Sequence, residues 1–136
     1  MKRLAASLCF ALLAGSGAAA AAAEWAPDLQ GIWVNPKGSV AVRTQDCGGR
    51  LCGYVVWVNA KAAADARESG LADPIGAEVL RDYRPGSDGA WHGMVYVPDM
   101  GRSFRSTLTA LDPNDLRISG CLLGTLFCRS QTWHRR

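Results

Sequence analysis

The chain has 136 residues, of which 49% are hydrophobic, and a formal charge of +3. That length is enough for one domain with one core. Beyond its first residues it has no apolar run near the ~20 residues of a membrane span.

Lys2 and Arg3 open the chain, and a charge-free run from Leu4 to Ala23 follows, ending in six alanines. A basic start, an apolar centre over Leu8–Leu13 and a small-residue exit make a secretory signal peptide over residues 1–23. An uncleaved anchor is the alternative, but alanine is only weakly apolar. Leu8 directly before Cys9 argues against lipid attachment, which wants a small residue there. Residues 24–136 are then expected to be a single periplasmic or secreted domain. Without Lys2 and Arg3 its charge falls to +1, so no basic footprint for nucleic acid remains.

Turn signals divide this domain at short intervals: Asn35-Pro36-Lys37-Gly38, Gly48-Gly49, Pro85 to Gly89, Pro98 to Gly101, Asp112 to Asp115, and Gly124. Proline presets φ, glycine accepts positive φ, and Asp or Asn bonds the nearby backbone. Between them lie strand-like runs at residues 31–35, 39–47, 51–58, 77–83, 90–97, 103–111, 116–122 and 125–134. Eight strands joined mostly by tight turns predict an all-β fold, an antiparallel up-and-down barrel. Phe104, Ser106, Leu108 and Ala110 alternate with Arg105, Thr107 and Thr109, as in a sheet with one dry face. Tyr54 to Val58 is apolar on both faces instead. The long connection, Asn59 to Gly76, begins with helix formers from Ala60 to Glu68, and Ser69-Gly70 stops them. A short helix there covers one mouth of the barrel or the outer face of the preceding strand.

Cys9 leaves with the leader, and four cysteines remain: Cys47, Cys52, Cys121 and Cys128. The local pairing, Cys47 with Cys52 and Cys121 with Cys128, is favoured because each pair brackets a hairpin tip. A four-thiolate zinc site is the alternative. Its spacings would be wider than the two to four residues usual for structural zinc, and an exported chain favours disulfides.

A nucleophile with its base is not visible. His92 and His134 lack metal-ligand spacing, no Gly-x-Ser-x-Gly elbow occurs, and the turn aspartates fit turn geometry. Neither an enzymatic function nor a cofactor or metal is expected. The aromatic residues, including Trp25, Trp33, Trp57, Trp91 and Trp133, are numerous for so small a domain. Most must be core, because each buries ~150–250 Å². In a wide enough barrel some would line a cavity.

Gly31-Ile32-Trp33 in the first strand, with Arg135 or Arg129 in or after the last, resembles the lipocalin and calycin signature. That resemblance implies a guanidinium lying across the Trp33 indole and closing one end of the barrel, with Arg135 as the partner. A longer series resembles the DUF2147 family. It runs through Cys52-Gly53-Tyr54-Val55-Val56-Trp57, Ile75-Gly76 with Leu80, and Trp91-x-Gly93-x-Val95-Tyr96-x-Pro98-Asp99-x-Gly101-x-x-Phe104. Ile118-x-Gly120-Cys121 and Cys128-x-x-Gln131-Thr132-Trp133 complete it. The resemblance covers residues 29–136 and implies a small exported bacterial protein with a lipocalin-like barrel. It brings no established activity. The long loop departs from the family pattern, lacking the Asn-Pro that many relatives carry after the position of Asp65.

The first expectation is a binding module for a small, largely apolar ligand such as a fatty acid. Trp57, Tyr96, Phe104 and Leu108 would line it, and Arg129 and Gln131 would orient a polar head. The second is an envelope structural or protein-interaction module with a filled barrel. Composition leaves the oligomeric state open.

Overall fold

The computed structural model describes residues 28–121 and 127–136. The expected signal peptide, Trp25 and the turn at Gly124 lie outside the described residues. Eight strands follow in chain order: β1 (Gly31–Val34), β2 (Val40–Asp46), β3 (Leu51–Val58), β4 (Glu78–Pro85), β5 (Trp91–Val97), β6 (Arg102–Asp112), β7 (Asp115–Cys121) and β8 (Cys128–Arg135). One helix, α1 (Ala60–Glu68), lies between β3 and β4. Each strand pairs antiparallel with its chain neighbours and β8 returns to β1, so the sheet closes into an up-and-down barrel. Observed strand ends agree with the expected runs to within two residues, except at the start of β8.

The local causes are visible. At the β1–β2 turn the Asn35 carboxamide accepts from the Ser39 and Val40 amides at 2.8 and 3.0 Å, and Gly38 takes φ +62°. Asn59 caps α1, its Oδ1 accepting from the Ala62 amide at 2.8 Å. At the other end the Ser69 amide donates back to Ala66, and the Ser69 hydroxyl donates to the Asp99 carbonyl in the β5–β6 turn. The helix therefore sits at the barrel end that carries the β1–β2, β3–β4 and β5–β6 connections.

Directly paired residues on neighbouring strands share a face, so register and burial together identify the lumen. Trp33 is buried and pairs with Val42, which pairs with Val55. Leu80 pairs with Val95, and Val95 with Phe104. Trp91, Leu108, Ile118 and Gln131 form one continuous row, and Gly93, Ser106, Gly120 and Arg129 form the next. Glycine at 93 allows a large neighbour to lie flat: a Cβ there would stand 2.6 Å from Tyr83 Cγ. The Tyr83 ring occupies that space, fully buried inside the wall.

Of the register shifts in the ladders, two redirect residues of interest. Between Ala41 and Val42 the β2–β3 register shifts, so that Ala41 faces Trp57 while Val42 faces Val55. A second shift in β4, between Arg81 and Arg84, contains Asp82 at φ +56°. Such bulges invert the face of everything beyond them.

Candidate functional site

The two ends of the barrel differ. At the end where β1 begins, the Trp33 indole donates to the Leu29 carbonyl at 3.2 Å and to Thr44 Oγ1 at 3.0 Å. Arg135 lies over the ring, its guanidinium carbon 4.2 Å from the centroid. The same guanidinium donates to the carbonyls of Pro113, Gln30 and Asp28, each at 2.7 Å. One cation thus ties β8, the β6–β7 turn and the segment before β1 across the barrel mouth. Arg129 stands further back along β8, far from this end. The lumen beneath Trp33 is filled by Val42, Val55, Leu108 and Leu116, all fully buried.

At the opposite end the inward positions are wetter. Phe104, Val95, Val40 and Val58 are half-buried, and Gln131 and Arg129 on β8 are exposed although their register faces them inward. The cause is the seam. β1 pairs with β8 only through Trp33–Arg135 and Val34–His134, and the chain then turns away at Asn35. Among the described residues the β1–β8 ladder thus ends before residues 128–132 of β8. Gln131 Oε1 accepts from the Trp133 indole at 3.1 Å, which holds the carboxamide in place. Arg102 pairs with Val97 and shares the inner face with Phe104, placing a second guanidinium at the same mouth.

Among the six residues expected to line a ligand, Phe104, Leu108, Arg129 and Gln131 fall on the lumen face. Leu108 lies deep in the packed half. Trp57 and Tyr96 do not face the lumen, and both placements correct the expectation. Strict alternation from Val55 would turn Trp57 inward, but the bulge opposite Ala41 turns it out, where it is 42% exposed. It lines an open groove of about 300 Å³ on the outer wall with Val34, Gly38, His134, Arg135 and Arg136. Tyr96 pairs with Ser103, on the face opposite Phe104, and stays partly buried. The Arg81 guanidinium lies 5.0 Å from its ring centroid.

Cys47–Cys52 and Cys121–Cys128 are disulfide-bonded. The first joins the β2–β3 turn at the sealed end, and the second spans the paired ends of β7 and β8 at the open one. Four thiolates so placed cannot share a zinc ion. The disulfides are consistent with an oxidising compartment.

His92 stands on the outer wall. Its Nε2 lies 3.0 Å from Asp88 Oδ2, and its Nδ1 lies 3.4 Å from Thr107 Oγ1. The His92 hydrogen bond, helped by the Ala90 amide, holds the Asp88 carboxyl below the usual range. All three groups lie on the outer wall, exposed or half-buried. Among the described residues no cluster of His, Cys, Asp or Glu could hold a metal, and no helix is long and apolar enough to cross a membrane.

Sequence reasoning passed over Tyr83 and Arg102. Ser106 shares a face with Phe104 and Leu108 in the sequence alternation, and the register turns that face inward. Tyr83 gave none, because the β4 bulge sets its direction.

Curated proteins provide no match to this chain. Among solved structures, the chain is similar to protein HP1028 from Helicobacter pylori, described as belonging to the lipocalin family. The likeness has a TM-score of 0.62 at 16% identity, covering 81% of this chain and 84% of that one. At that identity it speaks for the fold, a lipocalin-like barrel. The model of the DUF2147 family, described as an uncharacterized protein conserved in bacteria, matches residues 31–135. The match runs from the glycine that opens β1 to the arginine that closes the barrel, and the chain belongs to the DUF2147 family.

Proposed function

We propose that this protein is an exported binding module that holds a small, largely apolar ligand with an anionic head, such as a fatty acid, in the open half of its barrel. One observation carries the reading: inward positions that are dry and packed at the Trp33 end become half-buried and apolar at the other. There the exposed inward residues are Arg129, Gln131 and Arg102. An apolar cup rimmed by guanidinium groups suits a carboxylate on an aliphatic chain. Eight-stranded barrels are wide enough to hold one small ligand. Export is supported by the signal-like leader and the two disulfides.

Native mass spectrometry of protein from a periplasmic preparation is expected to show a bound species of a few hundred daltons. Calorimetric titration with decanoate then tests the rim. Arg129→Ala is expected to weaken decanoate binding about tenfold, the loss of one charge-assisted hydrogen bond, and to leave decanol binding unchanged. A bare mass together with no heat from decanoate would sink the proposal.

The groove around Trp57 favours a second reading, a protein-interaction module that uses its outer wall. A large exposed ring beside Val34 is the kind of anchor such surfaces use. Sedimentation of the wild type and Trp57→Ala tests it. A dimer lost in the variant would favour this reading, and monomers in both would remove self-association from it.

A further inference from the structure

Register orders two rows of side chains on the outer wall over β8, β1, β2 and β3. Val34 pairs with His134 on one side and Ala41 on the other, and Ala41 faces Trp57. In the next row Ile32 pairs with Arg43, and Arg43 with Tyr54. The Arg136 amide donates to the Ile32 carbonyl at 2.9 Å, which brings Arg136 level with Ile32 at the end of that row. Trp33, between Ile32 and Val34, is buried toward the lumen, so its two neighbours face outward. The rows cross four strands, about 14 Å of wall at ~4.8 Å per strand.

Apolar and cationic side chains are interleaved there. The Trp57 groove of about 300 Å³ has Val34 and Gly38 on one side and His134, Arg135 and Arg136 on the other. Ile32 and Tyr54, both half-buried, continue its apolar surface. Residues 32–43, 54–58 and 132–136 include Lys37, Arg43, Arg135 and Arg136 but no aspartate or glutamate. Lys37, Arg43 and Arg136 are exposed, and among the described residues none of their side chains is hydrogen-bonded or ion-paired. Arg135 donates to three backbone carbonyls, which leaves its charge unmatched. Carboxylates level with the rows stand at their margins, Asp115 with its Oδ1 2.5 Å from His134 Nδ1 and Glu78 beyond Tyr54.

The geometry points to this patch as a docking site for an acidic, extended segment of a partner protein, whose apolar side chain enters the groove against Trp57 while its carboxylates meet Arg43 and Arg136. At ~3.3 Å per residue, about five residues span the rows. An exposed indole and guanidinium groups with no partner of their own are the side chains that anchor such contacts. Charge argues against a second copy of the chain as the occupant. A two-fold contact would set Lys37, Arg43 and Arg136 against their own kind, and like charges facing across an interface oppose association. This assignment rests on the second reading, the outer wall as an interaction surface, and is independent of what the barrel holds.

Calorimetric titration of the full chain with a capped pentapeptide, a phenylalanine flanked by two glutamates on each side, tests the assignment. The wild type is expected to bind it at low salt and several-fold more weakly at about 0.3 M salt. Trp57→Ala is expected to weaken binding about thirtyfold, and the Arg43→Gln, Arg136→Gln double variant about tenfold. These side chains are exposed, so the melting temperatures of the variants should match the wild type. Alanine in place of the peptide's phenylalanine should cost the wild type as much as Trp57→Ala does, and cost that variant little more. Equal binding of a lysine counterpart, or an affinity unchanged in either variant, overturns the acidic partner. So does a silent peptide accompanied by a dimer that Trp57→Ala abolishes in sedimentation, which leaves the outer wall an interface between copies. Binding to phosphatidylglycerol vesicles in place of the peptide, lost in Trp57→Ala, assigns the patch to a membrane and overturns the proposal as well. A silent peptide with monomers throughout and no vesicle binding overturns both the partner and the reading on which it rests.

Discussion

Gly31 and Arg135 occupy a shared space. A Cβ on Gly31 would stand 2.3 Å from Arg135 Nη1, and Gly31 also sits at φ +150°. Gly31→Ala must therefore displace the guanidinium from the Trp33 indole and from its carbonyl acceptors. Arg135→Ala removes the same interactions, and each change is expected to cost about 2–3 kcal/mol. Their effects should not add: the double variant should lose little more than either alone in urea denaturation. Asp82 makes a different prediction. Arg50 donates to its Oδ1 at 2.8 Å and Arg84 at 3.4 Å, and the Arg50 hydrogen bond above all holds the carboxyl below its usual range. A depressed folded-state pKa gives stability that is complete above the unfolded value, about 4, and is lost as pH falls through the folded value. Asp82→Asn is thus expected to be less stable than wild type at pH 6, with the difference closing in acid. A gap unchanged down to pH 2 would rule out this account. The first pair was legible in the sequence, since Gly-x-Trp and a closing arginine are a recognisable pattern. The second was not, because Asp82 lies inside a bulge at positive φ.

Strands rather than residues decide which side chains meet. Alternation read from the sequence was right for β6 and β7, where the pairing from Ser106–Gly120 to Ala110–Leu116 runs without a shift. Trp57 departs from the expected lining because one extra residue in β3 opposite Ala41 inverts the face beyond Val55. Tyr96 departs from it for a simpler reason: Val95, not Tyr96, is level with Phe104 across the β5–β6 ladder. No composition rule reveals a one-residue offset between two strands. The β7–β8 hairpin offers the test at this scale. Cys121 and Cys128 are direct cross-strand partners, and their disulfide closes a short loop. Cys121→Ala with Cys128→Ala is expected to lower stability by about 2 kcal/mol, read from thermal unfolding. With its tip released, this hairpin should also become the first site of proteolytic cleavage.

At the scale of the whole molecule the barrel is polarised along its axis. Packing, the Trp33–Arg135 stack and the Cys47–Cys52 bridge lie toward one end, while α1, the guanidinium rim and the β8 overhang lie at the other. This division puts the dense core at one end of the barrel and the half-buried inward positions at the other. The eight-strand barrel, the single helix and both cysteine pairs were legible because turn residues and hydrophobic alternation are local signals. The polarity was not. It depends on β1 being too short to pair with the whole of β8, which appears only when the first and last strands meet.

That meeting also bears on the order in which the barrel forms. Every other ladder joins neighbours in the chain, whereas the Arg135 to Gln30 hydrogen bond spans 105 residues. Closing so long a loop costs entropy before any contact repays it. The six-strand meander from β2 to β7 can therefore assemble first, and the β1–β8 zipper is expected to close late. In a kinetic experiment Arg135→Ala should speed unfolding and leave the folding rate nearly unchanged, with a φ-value near zero. A slowed folding limb would instead make closure of the ring part of the nucleus.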